Sequence, residues 1–123
     1  MITKFVLIAS VGLAGLVLVM PPSAFSQTKS KKADPIAQGK TIAFARSKGN
    51  CLACHVIEGG SLAGNIGPEL KDIREKYSDK TELRAIIWDS TRNNPNTMMP
   101  PFGRNRILTE KEIDLVLAFV QSL

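Results

Sequence analysis

Cys51 and Cys54 stand with Leu52 and Ala53 between them and His55 directly after. Two thiols at this spacing can each add across a vinyl group of one porphyrin, forming two thioethers that leave the next residue beneath the iron. A neutral imidazole at that position is an axial ligand, and the covalent tether keeps its local concentration high. The pattern Cys-x-x-Cys-His thus points to one covalently bound haem c, attached at Cys51 and Cys54, with His55 on the iron.

Other chemistries use paired cysteines, and the surrounding sequence argues against each. A thiol–disulfide oxidoreductase carries its Cys-x-x-Cys in a βαβ setting, and no period-2 strand pattern flanks the motif. A structural zinc needs four ligands, whereas two cysteines and the single histidine leave one place to be filled by an acid or a partner. A disulfide across two residues closes a small strained ring and adds little stability, because stabilisation grows with loop length.

One histidine cannot supply both axial positions, so the sixth ligand must be another residue. Beyond the apolar start of the chain the methionines are Met98 and Met99, and a thioether is a soft neutral donor that raises the reduction potential. Methionine is more often a flexible core filler. Here, however, the pair joins no helical stripe, and Pro100 and Pro101 stiffen the segment. Met99 is preferred because the residue before proline is held extended, with Met98 the alternative and a lysine third. The segment Asn65-Ile66-Gly67-Pro68 either simply turns the chain or offers a backbone carbonyl to the Nδ1–H of His55, a bond that would orient the ring.

The elements that must position these groups are helical. Asp34-Pro35 is an N-cap with proline at the first helical position, predicting a helix to Arg46 or Ser47 with Ile36, Gly39, Ala43 and Phe44 inward. Residues 58–67 are Gly-rich and end at Pro68, so they form a loop. Short helices are expected over 69–77 and 81–89, the second burying Leu83, Ile86, Ile87 and Trp88. Residues 93–103 form an irregular Pro- and Asn-rich loop. Thr109 and Glu112 match a capping box, and Ile113, Val116, Leu117 and Val120 follow at helical spacing. The expected class is all-α with long loops.

Residues 1–26 read as a cleavable signal peptide: Lys4, an uncharged apolar run from Phe5 to Met20, then Pro21-Pro22 and small residues around a cut after Ser26. The run is short for a membrane-spanning helix, and no cysteine lies near the cut for lipid attachment. A periplasmic location and no lasting membrane anchor are expected. Residues 27–33 read as a loose basic arm and 34–123 as the single domain. Loss of Lys4 leaves 15 basic and 11 acidic side chains, a formal +4, with the two signs interspersed over Lys71 to Lys76. That is a solvated face rather than a phosphate-binding stripe, so no nucleic-acid partner is expected.

With its leading helix, Cys-x-x-Cys-His, Gly-Pro loop, methionine loop and terminal helix, the chain resembles class I cytochromes c from Asp34 to Leu123. The resemblance implies that the first and last helices pack together around the haem, with Gly39 against Phe119, and that Pro68 lies in the haem pocket against the proximal ligand. More narrowly, Lys48 to His55, Gly64 to Pro68 and above all Asn94 to Gly103 resemble the SoxX family, monohaem subunits of the SoxAX thiosulfate-oxidising complex. This implies a heterodimer with SoxA acting as an L-cysteine S-thiosulfotransferase. SoxA, which carries the catalytic cysteine, couples thiosulfate to a cysteine of the SoxYZ carrier, and this chain takes up the electrons and passes them to a downstream acceptor cytochrome. Both cysteines here are consumed by haem attachment, so no catalytic residue is expected in this chain. The alternative is a free monohaem carrier between respiratory complexes, for which dispersed positive charge would serve docking. A third, a metal or thiol module without haem, would be colourless.

Overall fold

The computed structural model describes residues 34–123, so the expected signal peptide and basic arm lie outside the described residues. Four α-helices, α1 (Pro35–Phe44), α2 (Ile73–Lys76), α3 (Lys80–Trp88) and α4 (Glu110–Val120), are joined by long loops with short 3-10 turns at Cys51–Ala53 and Ser90–Arg92. No strand occurs among the described residues; Ile57 and Leu70 form an isolated parallel bridge. The all-α class is as expected.

Helix α1 starts where Asp34 accepts a hydrogen bond from the Ile36 N–H, with Pro35 in the first turn. It ends two to three residues before the expected Arg46 or Ser47. The reason is the return of the chain onto α1: Gly49 is buried and donates its N–H to the Ile42 carbonyl at 3.1 Å. Of the residues expected inward, Gly39 and Ala43 are buried, Phe44 is half-buried and Ile36 faces solvent.

The principal helix contact is α1 against α4. A Cβ built on Gly39 would lie 2.0 Å from the Leu115 carbonyl oxygen and 2.8 Å from Phe119 Cβ, so only glycine permits this approach. Beside it Phe44 and Phe119 meet edge to face with centroids 5.7 Å apart, a geometry that adds about 1 kcal/mol to their burial. Helix α4 contributes Ile113, Val116, Phe119 and Val120 to the core, each buried apolar side chain worth about 1.5–3 kcal/mol. The capping box is complete: Thr109 Oγ1 accepts from the Glu112 N–H and the Glu112 carboxylate accepts from the Thr109 N–H.

Helix α2 is shorter than the expected 69–77. Leu70 donates its N–H to the Val56 carbonyl and Asp72 is left-handed, so the chain before Ile73 is committed to the motif rather than to a helix. The Ile73 N–H is received by the Leu123 carbonyl, which ties α2 to the end of the chain. Helix α3 begins at Lys80, capped by Asp79. It buries Leu83 and Ile87, whereas Ile86 and Trp88 are half-buried. Trp88 is held at one edge, its indole N–H donating to Glu110 at 2.9 Å.

Candidate haem site

The turn Cys51–Ala53 follows Asn50, whose left-handed backbone swings the chain off α1. Both cysteines are free thiols and half-buried. Burial pushes the Cys51 thiol up to about 11. Among the described residues no group of three or more His, Cys, Asp or Glu is arranged to hold a metal ion.

The Gly-rich loop is laced onto the motif. Gly64 donates its N–H to Leu52 O at 2.8 Å, Gly67 to Cys54 O at 2.8 Å and Leu70 to Val56 O at 2.9 Å. His55 Nδ1 lies 2.6 Å from the Pro68 carbonyl oxygen. A carbonyl only accepts, so in the neutral ring Nδ1 carries the hydrogen and Nε2 keeps the lone pair that an iron needs. Gly67 lies against the imidazole: a Cβ there would come within 2.5 Å of His55 Cε1, so glycine lets the loop reach the ring. Pro68 itself is exposed and serves through its carbonyl.

The two methionines differ sharply. Met98 is 74% exposed, whereas Met99 is half-buried and packs against the core. The Met99 peptide is held at both ends, its N–H donating to Thr97 Oγ1 at 3.1 Å and its carbonyl accepting from Ser90 Oγ at 2.9 Å. The loop is closed at its base, where Gly103 donates to Trp88 O at 3.0 Å and Arg104 pairs with Asp89 at 3.0 Å. Asp89 is buried and also accepts from the hydroxyl and N–H of Thr91, and these bonds, led by the hydroxyl, hold its carboxyl below the usual carboxylate range.

The donor set fits haem c: two free thiols at the attachment spacing, an imidazole whose Nδ1 is occupied and whose Nε2 is not, and a half-buried thioether in a pinned loop. The family model for cytochrome c matches residues 36–123. The chain belongs to the cytochrome c family. Its domain is that of an electron-transfer haem protein, in which a haem held by these residues would supply a reversible one-electron iron couple. In this cytochrome Cys51 and Cys54 are the free thiols at the attachment spacing, and His55 and the half-buried Met99 are the candidate ligands.

Two curated proteins are similar in part. An uncharacterized lipoprotein of Aquifex aeolicus is 35% identical over 74 residues, covering 59% of this chain and 36% of its own. Cytochrome c-552 of Nitrosomonas europaea is 42% identical over 40 residues, covering 32% and 35%. The chain spans about a third of the length of each of these relatives. No helix among the described residues is long and apolar enough to cross a membrane.

The sequence reading missed the supports of the methionine loop. Asp89-Ser90-Thr91 is a recognisable capping sequence, but its link to Arg104 and Met99 depends on how the loop closes. It also missed the ion pair between Lys48, just before the motif, and Glu112 of α4, 2.8 Å apart.

Proposed function

We propose that this cytochrome uses His55 and Met99 as the axial ligands of one haem c held through Cys51 and Cys54, and that it is the SoxX subunit of a periplasmic SoxAX complex. The observation that carries the ligand assignment is the contrast between Met99, half-buried with its peptide bonded at both ends, and Met98, 74% exposed. The thioether favours the reduced iron and so a high potential, suited to accepting electrons from a sulfur oxidation. The narrower role rests on the resemblance of Asn94 to Gly103 to SoxX sequences and on the cysteine count, since haem attachment leaves no thiol for catalysis. On this reading SoxA performs the coupling of thiosulfate to SoxYZ, and this chain relays the electrons onward to an acceptor cytochrome. Export under the segment 1–26 puts it in the periplasm.

The test is purification of the tagged full chain from periplasm, with mass spectrometry of what accompanies it. Co-purification of a second haem protein, both being needed for thiosulfate-dependent haem reduction, is the expected result. A solitary monomer reduced equally well by respiratory donors favours instead a free carrier, a reading to which the dispersed formal +4 also lends itself.

A further inference from the structure

The bond from Ser90 to Met99 joins two parts of the chain that the loop sequence alone does not connect. Ser90 is 6% exposed and opens the 3-10 turn Ser90–Arg92. Its own carbonyl accepts from the N–H groups of Asn93 and Asn94, so its backbone is fixed by the start of the loop. Its hydroxyl reaches across to the Met99 carbonyl. Asp89 caps the same turn and pairs with Arg104 beyond the far end of the loop, and Arg104 also donates to Thr91 Oγ1 at 2.9 Å. The staple therefore fixes Ser90 independently of Met99, and Ser90 then fixes the methionine peptide.

We propose that Ser90 is a positioning residue for the distal ligand: its hydroxyl holds the Met99 carbonyl and thereby keeps the thioether from yielding its place to exogenous ligands. This rests on Met99 being that ligand. A thioether is a weak donor, so its retention depends on how little freedom the loop gives it once displaced. Without the Ser90 bond the hydrogen bond left to the Met99 peptide is the local one from its N–H to Thr97, a residue of the same loop. One neutral hydrogen bond is worth about 1 kcal/mol, or roughly fivefold in an equilibrium or a rate.

The experiment uses the holoprotein and the probe imidazole. Three quantities are read: the weak near-infrared sulfur-to-iron band of the oxidised protein, the rate of imidazole binding to the oxidised iron, and the urea midpoint of global unfolding. Ser90→Ala is expected to keep the band and to bind imidazole about fivefold faster, and Ser90→Thr, which keeps the hydroxyl, to restore the slower rate. Ile87→Val, a core change on α3 that removes no hydrogen bond of the loop, controls for stability alone and is expected to leave the rate unchanged. An unchanged rate in Ser90→Ala, or an equal acceleration in Ile87→Val, overturns the role of Ser90 while leaving Met99 as ligand. If the band survives Met99→Ala and is lost with Met98→Ala, the ligand assignment falls and the role of Ser90 falls with it.

Discussion

The loop that reaches Pro68 is fastened to the motif mainly through backbone, and the loop that carries Met99 mainly through side chains. Gly64, Gly67 and Leu70 all donate main-chain N–H groups to the segment Leu52–Val56, and the Pro68 carbonyl receives His55. The methionine loop relies instead on Ser90, Thr97, Thr91, Asp89 and Arg104. Backbone lacing leaves outward side chains such as Ile66, 59% exposed, free to vary but demands glycine where the chain approaches a ring. Side-chain fastening makes the placing of Met99 sensitive to single substitutions. The loop beside the cysteines is thus built for permanence, and the methionine loop is adjustable.

The largest effect expected is on the permanent side. Replacing both Cys51 and Cys54 by alanine removes the thioethers, so haem staining of the denatured protein on a gel should vanish. Staining that persisted would mean attachment elsewhere and would undo the contrast at its root. On the adjustable side, Met99→Ala should abolish the near-infrared band and lower the reduction potential, on the order of 0.1 V out of the roughly 0.8 V that axial ligation spans. Met98→Ala should leave both unchanged. Spectroscopy and redox titration of the two variants decide between the neighbours.

How much of this was legible in the sequence follows the distance over which each device acts. Cys51 to His55 and the Thr109–Glu112 capping box are completed within five residues, and their spacing alone specifies the geometry. The packing of α1 on α4 through Gly39 came from resemblance, since nothing local marks that glycine as a contact. Helix ends were misjudged at Arg46 and at Glu69 because tertiary hydrogen bonds, Gly49 to Ile42 and Leu70 to Val56, claim the backbone there. The pairs Ser90–Met99, Asp89–Arg104 and Lys48–Glu112 were invisible because their partners are distant in sequence and no periodicity links them.

Both sides hang on the packed helix pair, and a substitution there should affect them equally. Gly39→Ala forces a Cβ against the Leu115 carbonyl and should destabilise the fold by about 2–3 kcal/mol. Urea titration of the holoprotein, followed by helical circular dichroism and by haem absorbance, should show the two signals shifting together. If haem absorbance changed first, the sites would be less dependent on the α1–α4 contact than their loops suggest.

The smallest effect expected concerns the ion pair that ties Lys48, just before the motif, to α4. Glu112 accepts from Lys48 and from the Thr109 N–H, and these bonds, the lysine first, hold its carboxyl down at about 2. Its folded pKa is therefore below its unfolded one, near 4.5. The stabilisation it brings is complete above pH 4.5 and is lost as the pH falls towards 2. Glu112→Gln keeps a capping-box acceptor but no charge, so its melting temperature should lie slightly below that of the wild type at pH 6 and converge with it towards pH 2. Glu112→Ala also removes the carboxylate half of the capping box and should cost about 1 kcal/mol at pH 6. Lys48→Met tests the same bond from the other end. If its melting curves between pH 2 and 6 follow those of Glu112→Gln, a side-chain clamp also secures the backbone-laced side, just before the motif begins.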